Sequence, residues 1–302
     1  MTTGGWIRGV QMRVGLHALG IGAGADRRVI DEVARAAEEC GFFTLWSGEH
    51  VVMVDRPQSR YPYSDDGRIA VPSEADWIDP MIGLSFAAAA TSTIQIATGV
   101  LLLPEHNPVL IAKQAATLDV LSGGRLTLGV GIGWSREEFD ALGVPFARRA
   151  TRTAEYVDAM RMLWRDDIAS YNGEFVAFDS IRVNPKPLRD RKIPVVIGGN
   201  SDAALGRVAH WGDGWYGFNL EDIPAAGERL AALQRLCDQH GRDRGQLTTA
   251  ISLRNPQPDV IDKVAALGVD ELVVVDSPPE DPHAAADWVY VLAARWMVGE
   301  TS

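Results

Sequence analysis

Cysteine is nearly absent from this chain of 302 residues, which holds only Cys40 and Cys237. Both fall in segments that read as helical, and neither has metal-ligand spacing. A disulfide scaffold and a cysteine-bound zinc cluster are therefore set aside, and free thiols of a reducing, cytoplasmic compartment are expected. Lysine is as scarce: Lys113, Lys186, Lys192 and Lys263 are the whole complement, and arginine carries the rest of the positive charge. Acids still outnumber bases by 40 to 29, for a net charge of −11. Such a balance gives no long-range attraction to nucleic acid or to an anionic membrane. No apolar run approaches the roughly 20 residues that span a bilayer. The start, MTTGGWIRGVQ, lacks a charged segment followed by an apolar one, so no export signal is expected. Residues 1–11 read as a loose tail ahead of one domain over residues 12–302.

What the chain does have is alternation. Short apolar runs at residues 12–17, 44–47, 94–98, 126–130, 194–197, 214–216, 247–253 and 272–275 read as buried strands, each followed by a helical pattern. Eight such βα units predict a closed (β/α)8 TIM barrel with a parallel sheet. The helices carry their own punctuation. Ile30, Val33, Ala34 and Ala37 recur at helical spacing, with Asp26 placed to cap the start and Gly41 to end the helix. The last helix, over residues 282–297, offers Trp288, Val291, Leu292 and Trp296 as its apolar face. Two connections exceed simple turns. Residues 48–77 leave the second strand and hold Tyr61, Tyr63 and Asp65-Asp66-Gly67; a loop of that length is expected to be a lid on the substrate side. Residues 166–192 include Asn172-Gly173, a hairpin signal, and predict a small added β-element before the fifth strand.

In a barrel of this kind the working face lies at the C-terminal ends of the strands. The second strand delivers Glu49 and His50 there, and the third delivers Thr98, Gly99 and Val100. The fourth ends in Gly131, Ile132, Gly133 and Trp134, with Glu137 and Glu138 one turn later. The fifth ends in Gly198, Gly199, Asn200 and Ser201, which open a helix. Backbone N–H groups at a helix start form an anion site, and glycine lets a phosphate approach; an Asn/Ser cap without ligand fits the same residues. Imidazole suits proton transfer near neutral pH, and His50 is the histidine best placed for it. Glu137 and Glu138 read most simply as the acidic, solvated start of a helix.

Residues 103–134 read LPEHNPVLIAKQAATLDVLSGGRLTLGVGIGW. Pro108 can open a helix, Ser122-Gly123-Gly124 can close it, and a short strand then ends in Gly131-Ile132-Gly133. The string LPxxNP, AKQAATLD, LSGGRLTLGVGxGW resembles the bacterial luciferase-like oxidoreductases, and most of all their branch that uses the deazaflavin coenzyme F420. The resemblance runs from about residue 12 to about residue 296. It departs at His106, where relatives often carry arginine. It implies a cofactor-binding set of Glu49, Thr98, Gly99, Val100, Gly131, Gly133, Gly198, Gly199, Asn200 and Ser201, with the last four near the cofactor phosphate. It also implies a non-prolyl cis peptide at Gly99-Val100 behind the ring, and His50 as the catalytic residue, there either to hydrogen-bond the deazaflavin edge or to protonate substrate. Trp134 stands where the sugar-phosphate dehydrogenases of the family place a catalytic carboxylate. Trp134 and Glu138 are accordingly assigned to the substrate pocket, and Arg60 or Arg68 to the anionic tail of F420. The reaction implied is hydride transfer between F420 and a small organic substrate, in a homodimer and without a metal. A monooxygenase using flavin mononucleotide (FMN) and O2 on the same fold is the alternative, and a non-catalytic binding barrel the third reading.

Overall fold

The computed structural model describes residues 12–297, so the expected tail at 1–11 lies outside the described residues. Eight parallel strands close into a barrel. In chain order they are β1 (Arg13–Leu19), β2 (Thr44–Ser47), β3 (Gln95–Thr98) with its continuation β4 (Leu101–Leu102), β5 (Leu126–Gly131), β8 (Val195–Gly198), β9 (Gly214–Leu220), β10 (Thr248–Leu253) and β11 (Glu271–Val275). β1 pairs with β2 on one side and β11 on the other, and β3 pairs with β5 to complete the ring. The third strand is broken at residues 99 and 100. The Gly99-Val100 peptide there is cis, as the resemblance implies. β4 resumes pairing with β5 beyond it, Leu101 opposite Val130.

Helices α1 (Arg27–Cys40), α2 (Pro80–Ala90), α3 (Pro108–Leu121), α4 (Arg136–Ala141), α5 (Arg149–Arg165), α6 (Asp202–Trp211), α7 (Ile223–Gln239), α8 (Ile261–Ala266) and α9 (Pro282–Trp296) surround the strands. Asp26 accepts from the N–H groups of Arg28 and Val29, and Gly41 closes α1 at φ 86°. Asn107 caps α3 ahead of Pro108. Arg125, at the end of the SGGR string, is buried and donates to the carbonyls of Ala88, Thr91 and Ile94, which satisfies the C-terminal end of α2. No helix among the described residues is long and apolar enough to cross a membrane.

Three expectations need adjusting. The added β-element is present as β6 (Ala169–Asn172) and β7 (Ala177–Ile181), but a four-residue loop joins the two strands rather than a two-residue turn. Glu155 of α5 accepts from the N–H groups of Glu174, Phe175 and Val176, so the longer loop leaves no amide unpaired. β9 runs on to Leu220, four residues past the expected end. In α9, Val291 is 67% exposed, because it lies one residue, about 100° of helix, away from buried Leu292.

The barrel interior is filled by Trp46, Ala97, Val196, Tyr216, Ala250 and Val273. Alternation along β9 sends Tyr216 inward and Trp215 outward into the helix layer. Trp46 stacks on Tyr216 with ring centres 4.6 Å apart. Beneath them, buried Glu271 accepts from Trp46 Nε1 at 2.9 Å and Thr44 Oγ1 at 3.2 Å. Burial outweighs those two bonds and pushes the Glu271 carboxyl up to about 7. Burial also pulls His17, whose Nδ1 lies 3.0 Å from Tyr216 Oη, down to about 4.

These two groups tilt stability in opposite directions. Glu271 folds as a neutral acid, so its contribution is full below about pH 4.5 and is lost as pH rises to about 7. His17 folds as a neutral base, so its contribution is full above about pH 6.5 and is lost as pH falls to about 4. In urea melts, wild type minus Glu271→Gln should therefore fall between pH 4.5 and 7, by on the order of 3 kcal/mol. Parallel profiles for the two proteins would show that Glu271 does not titrate abnormally.

Candidate active site

The strand ends converge on a mouth whose floor is Val100. A Cβ at Gly131 would sit 2.6 Å from Val100 Cγ2, and one at Gly198 would sit 2.8 Å from Val100 Cγ1. The room that Gly131 and Gly198 leave is taken by the Val100 side chain. Gly99 in turn rests on the barrel filling, where a Cβ would meet Trp46, His17 and Tyr216 at 3.1–3.3 Å. Gly99 donates its N–H to Ser47 O at 2.7 Å, and Thr98 Oγ1 donates to Gly129 O at 2.7 Å. Together these contacts fix an apolar shelf above the packed interior.

His50 stands at the side of that shelf. Its Nδ1 lies 2.9 Å from Glu138 Oε2, and its ring meets Trp77 and Trp134 edge-on, at 4.8 and 5.6 Å. Glu138 is fully buried, and its second oxygen accepts from the N–H groups of Val51 and Val52 at 2.7 and 3.1 Å. The solvated-start reading of Glu138 is thus overturned: it lies behind His50, where the loop's own amides replace water. Glu137 is not idle either. Ser59 and the amides of Gln58 and Ser59 hold it down to about 2.

Those contacts draw the long loop across the mouth. Tyr63 O accepts from Asn219 Nδ2 at 2.9 Å, Asp65 pairs with Arg254 at 3.1 Å, and Trp77 Nε1 donates to Gly48 O at 3.1 Å. The loop brings Tyr61 and Tyr63 into an aromatic arc. Tyr61 meets Trp134 at 5.3 Å and Tyr63 at 5.4 Å, and Tyr63 meets Phe218 at 5.4 Å. Trp134 thus joins His50 to this arc.

Glu49 is redirected as well. It is buried, its Oε2 accepts from Leu102 N, and its Oε1 lies 3.0 Å from His106 Nε2. Both oxygens are bonded within the protein. Burial pulls the His106 ring down, but Glu49, with Asp79 and Glu138 farther off, raises it above its ordinary value.

Beyond β8, Gly198, Gly199, Asn200 and Ser201 lead into α6. Ser201 Oγ caps the helix by accepting from Ala204 N at 3.2 Å. Gly199 has φ 113°, a conformation that only glycine adopts readily. Asn200 donates to Phe218 O at 2.7 Å, while its Oδ1 is buried without a partner. Arg207 of α6 has a buried Nε without a partner, and burial, with Arg149 nearby, lowers its guanidinium below the ordinary value. Arg149 donates to Gly133 O at 3.1 Å and stacks on Phe146, as does Arg136. Among the described residues, no carboxylate lies within 4.0 Å of Arg136, Arg149 or Arg207. Arg60 instead donates within its own loop, to Asp65 O. No periodicity signals Arg149 or Arg207, since each sits in an ordinary helix and acquires its role only when the barrel closes.

Removing Glu138 strands a histidine and two amides, whereas removing Glu137 frees amides that water can reach. Glu138→Ala should cost on the order of 3 kcal/mol in urea melts and Glu137→Ala about 1 kcal/mol. Equal losses would contradict the bracing role given to Glu138.

Comparison with known proteins agrees with this architecture. A family model described as luciferase-like monooxygenase matches residues 12–255. The uncharacterized protein Rv0953c of Mycobacterium tuberculosis is 38% identical over 263 residues, 87% of this chain and 92% of that protein. Monooxygenase RslO1 from Streptomyces bottropensis superposes with a TM-score of 0.74 at 18% identity, over 94% of this chain and 98% of that one. The coenzyme F420-dependent tetrahydromethanopterin reductase from Methanopyrus kandleri superposes at 0.70 with 17% identity, over 96% and 98%. These two structures share the fold. The chain belongs to the luciferase-like monooxygenase family of oxidoreductases, built on the (β/α)8 barrel.

Proposed function

We propose that the protein is an F420-dependent oxidoreductase that transfers hydride between the deazaflavin and a small organic substrate. The observation that carries this reading is the cationic side of the mouth. Arg136, Arg149 and Arg207 have no carboxylate partner among the described residues, and the buried Arg207 Nε is unused. Three cations beside a helix start suit an anion longer than one phosphate. Gly199, Asn200, Ser201 and Arg207 would hold the phosphate, and Val100 would support the ring. When bound, F420 supplies the hydride chemistry.

The chain's own residues do the rest. Glu138 occupies His50 Nδ1, which leaves Nε2 as the atom that gives or takes a proton. Trp134, Tyr61 and Tyr63 exclude water and press a substrate toward the shelf, and the barrel holds all of them in register. The FMN-dependent monooxygenase is the alternative. What favours it is that Arg207 and the α6 N–H groups also suit a single phosphate.

A paired titration with F420 and FMN, followed by ring fluorescence, tests the proposal. F420 should bind tightly and FMN weakly, and Arg207→Ala should weaken F420 about tenfold or more. Tight binding of FMN alone would move the assignment to the monooxygenase. Binding of neither would overturn both.

A further inference from the structure

One buried carboxyl has no part in the mouth. Glu105 ends the short 3-10 turn Leu103–Glu105 between β4 and α3. It is 7% exposed, and neither of its oxygens has a hydrogen-bond partner. Gly133 leaves it room: a Cβ there would sit 3.0 Å from Glu105 Oε1. Burial first, then the charges of Glu138 and Glu49, push its carboxyl up to about 9, so it holds a proton at neutral pH. Those two neighbours are themselves matched. Glu138 is bonded to His50 at the mouth, and Glu49 to His106, whose side chain is 21% exposed.

We propose that Glu105 is a shared proton carrier that joins the His50–Glu138 and His106–Glu49 pairs, giving His50 a second route to solvent when ligand fills the mouth. This rests on the reading of His50 as the group that handles the proton. The route balances without moving electrons. Glu105 passes its proton to Glu49, Glu49 hands one on to His106, and His106 releases one to water. Glu105 then recovers a proton from Glu138, which has taken it from His50. Only N–H and O–H bonds break and form, and all three carboxyls end as they began. No hydrogen bond fixes the orientation of the Glu105 carboxyl, and Leu102 and His106, on either side of it in the chain, both bond to Glu49. The titratable groups around the route are Glu49 and His50 beyond β2, His106 beside Glu105, Glu138 on α4, and Asp79, which caps α2 and acts on His106.

The test needs neither cofactor nor substrate. The ring signals of 15N-labelled histidines in the full chain are followed from pH 5 to 10, with His50 and His106 assigned by their loss in His50→Gln and His106→Gln. In wild type both should show a second inflection near pH 9, where Glu105 ionises. Glu105→Gln keeps the shape of the neutral acid and should abolish that inflection at both rings. Glu105→Gln and His106→Gln should each slow exchange of the His50 ring N–H with water by about tenfold. An inflection missing in wild type, or surviving Glu105→Gln, would overturn the relay, as would exchange unchanged in both variants. Failure of F420 binding with the shared inflection intact would remove the deazaflavin reading alone.

Discussion

Glu138 is the residue on which the mouth depends. One fully buried carboxylate on α4 accepts from two amides at the start of the long loop and fixes His50 between them and the ring of Trp134. A buried charge is tolerated only when its hydrogen bonds are satisfied, so the loop cannot lift at this point without leaving the carboxylate bare. The loop is thereby committed to the mouth near its root, and Glu137 repeats the hold several residues farther along. From there the chain carries Tyr61 and Tyr63 to the far side, where Asn219 and Arg254 receive it.

Below this frame the barrel behaves as a packed solid. Trp46, Tyr216 and His17 fill the space under Gly99, and Val100 fills the space left by Gly131 and Gly198. Gly131 and Gly198 therefore serve side-chain packing, because each makes room for Val100. The proposed function asks this shelf, with His50 and the guanidinium groups of Arg149 and Arg207 around it, to receive a planar ring with an anionic extension.

Much of this was legible along the chain because it is local. The strands, the caps at Asp26 and Ser201, the helix start at Pro108 and the stop at Gly41 each depend on residues within a turn of one another. The mouth was legible in outline, since a barrel brings its strand ends together whatever their separation. Its partnerships were not. His50 and Glu138 are 88 residues apart, and an acidic pair at a helix start gives no sign that one member faces solvent while the other is sealed. The bonds of Glu49 to Leu102 and His106 are equally hidden, 53 and 57 residues away along the chain. Arg149 and Arg207 lie in unremarkable helices, and Arg60, in the conspicuous loop, proves to be bonded to that loop.

The central claim is that a deazaflavin ring lies on Val100 with its phosphate at the start of α6. A crystal structure of the protein with F420 bound tests it most directly. The account predicts density for the ring against Val100 and beside His50, with the phosphate on the Gly199–Ser201 amides and Arg207. Density for F420 elsewhere, or a phosphate that leaves Arg207 untouched, would contradict it.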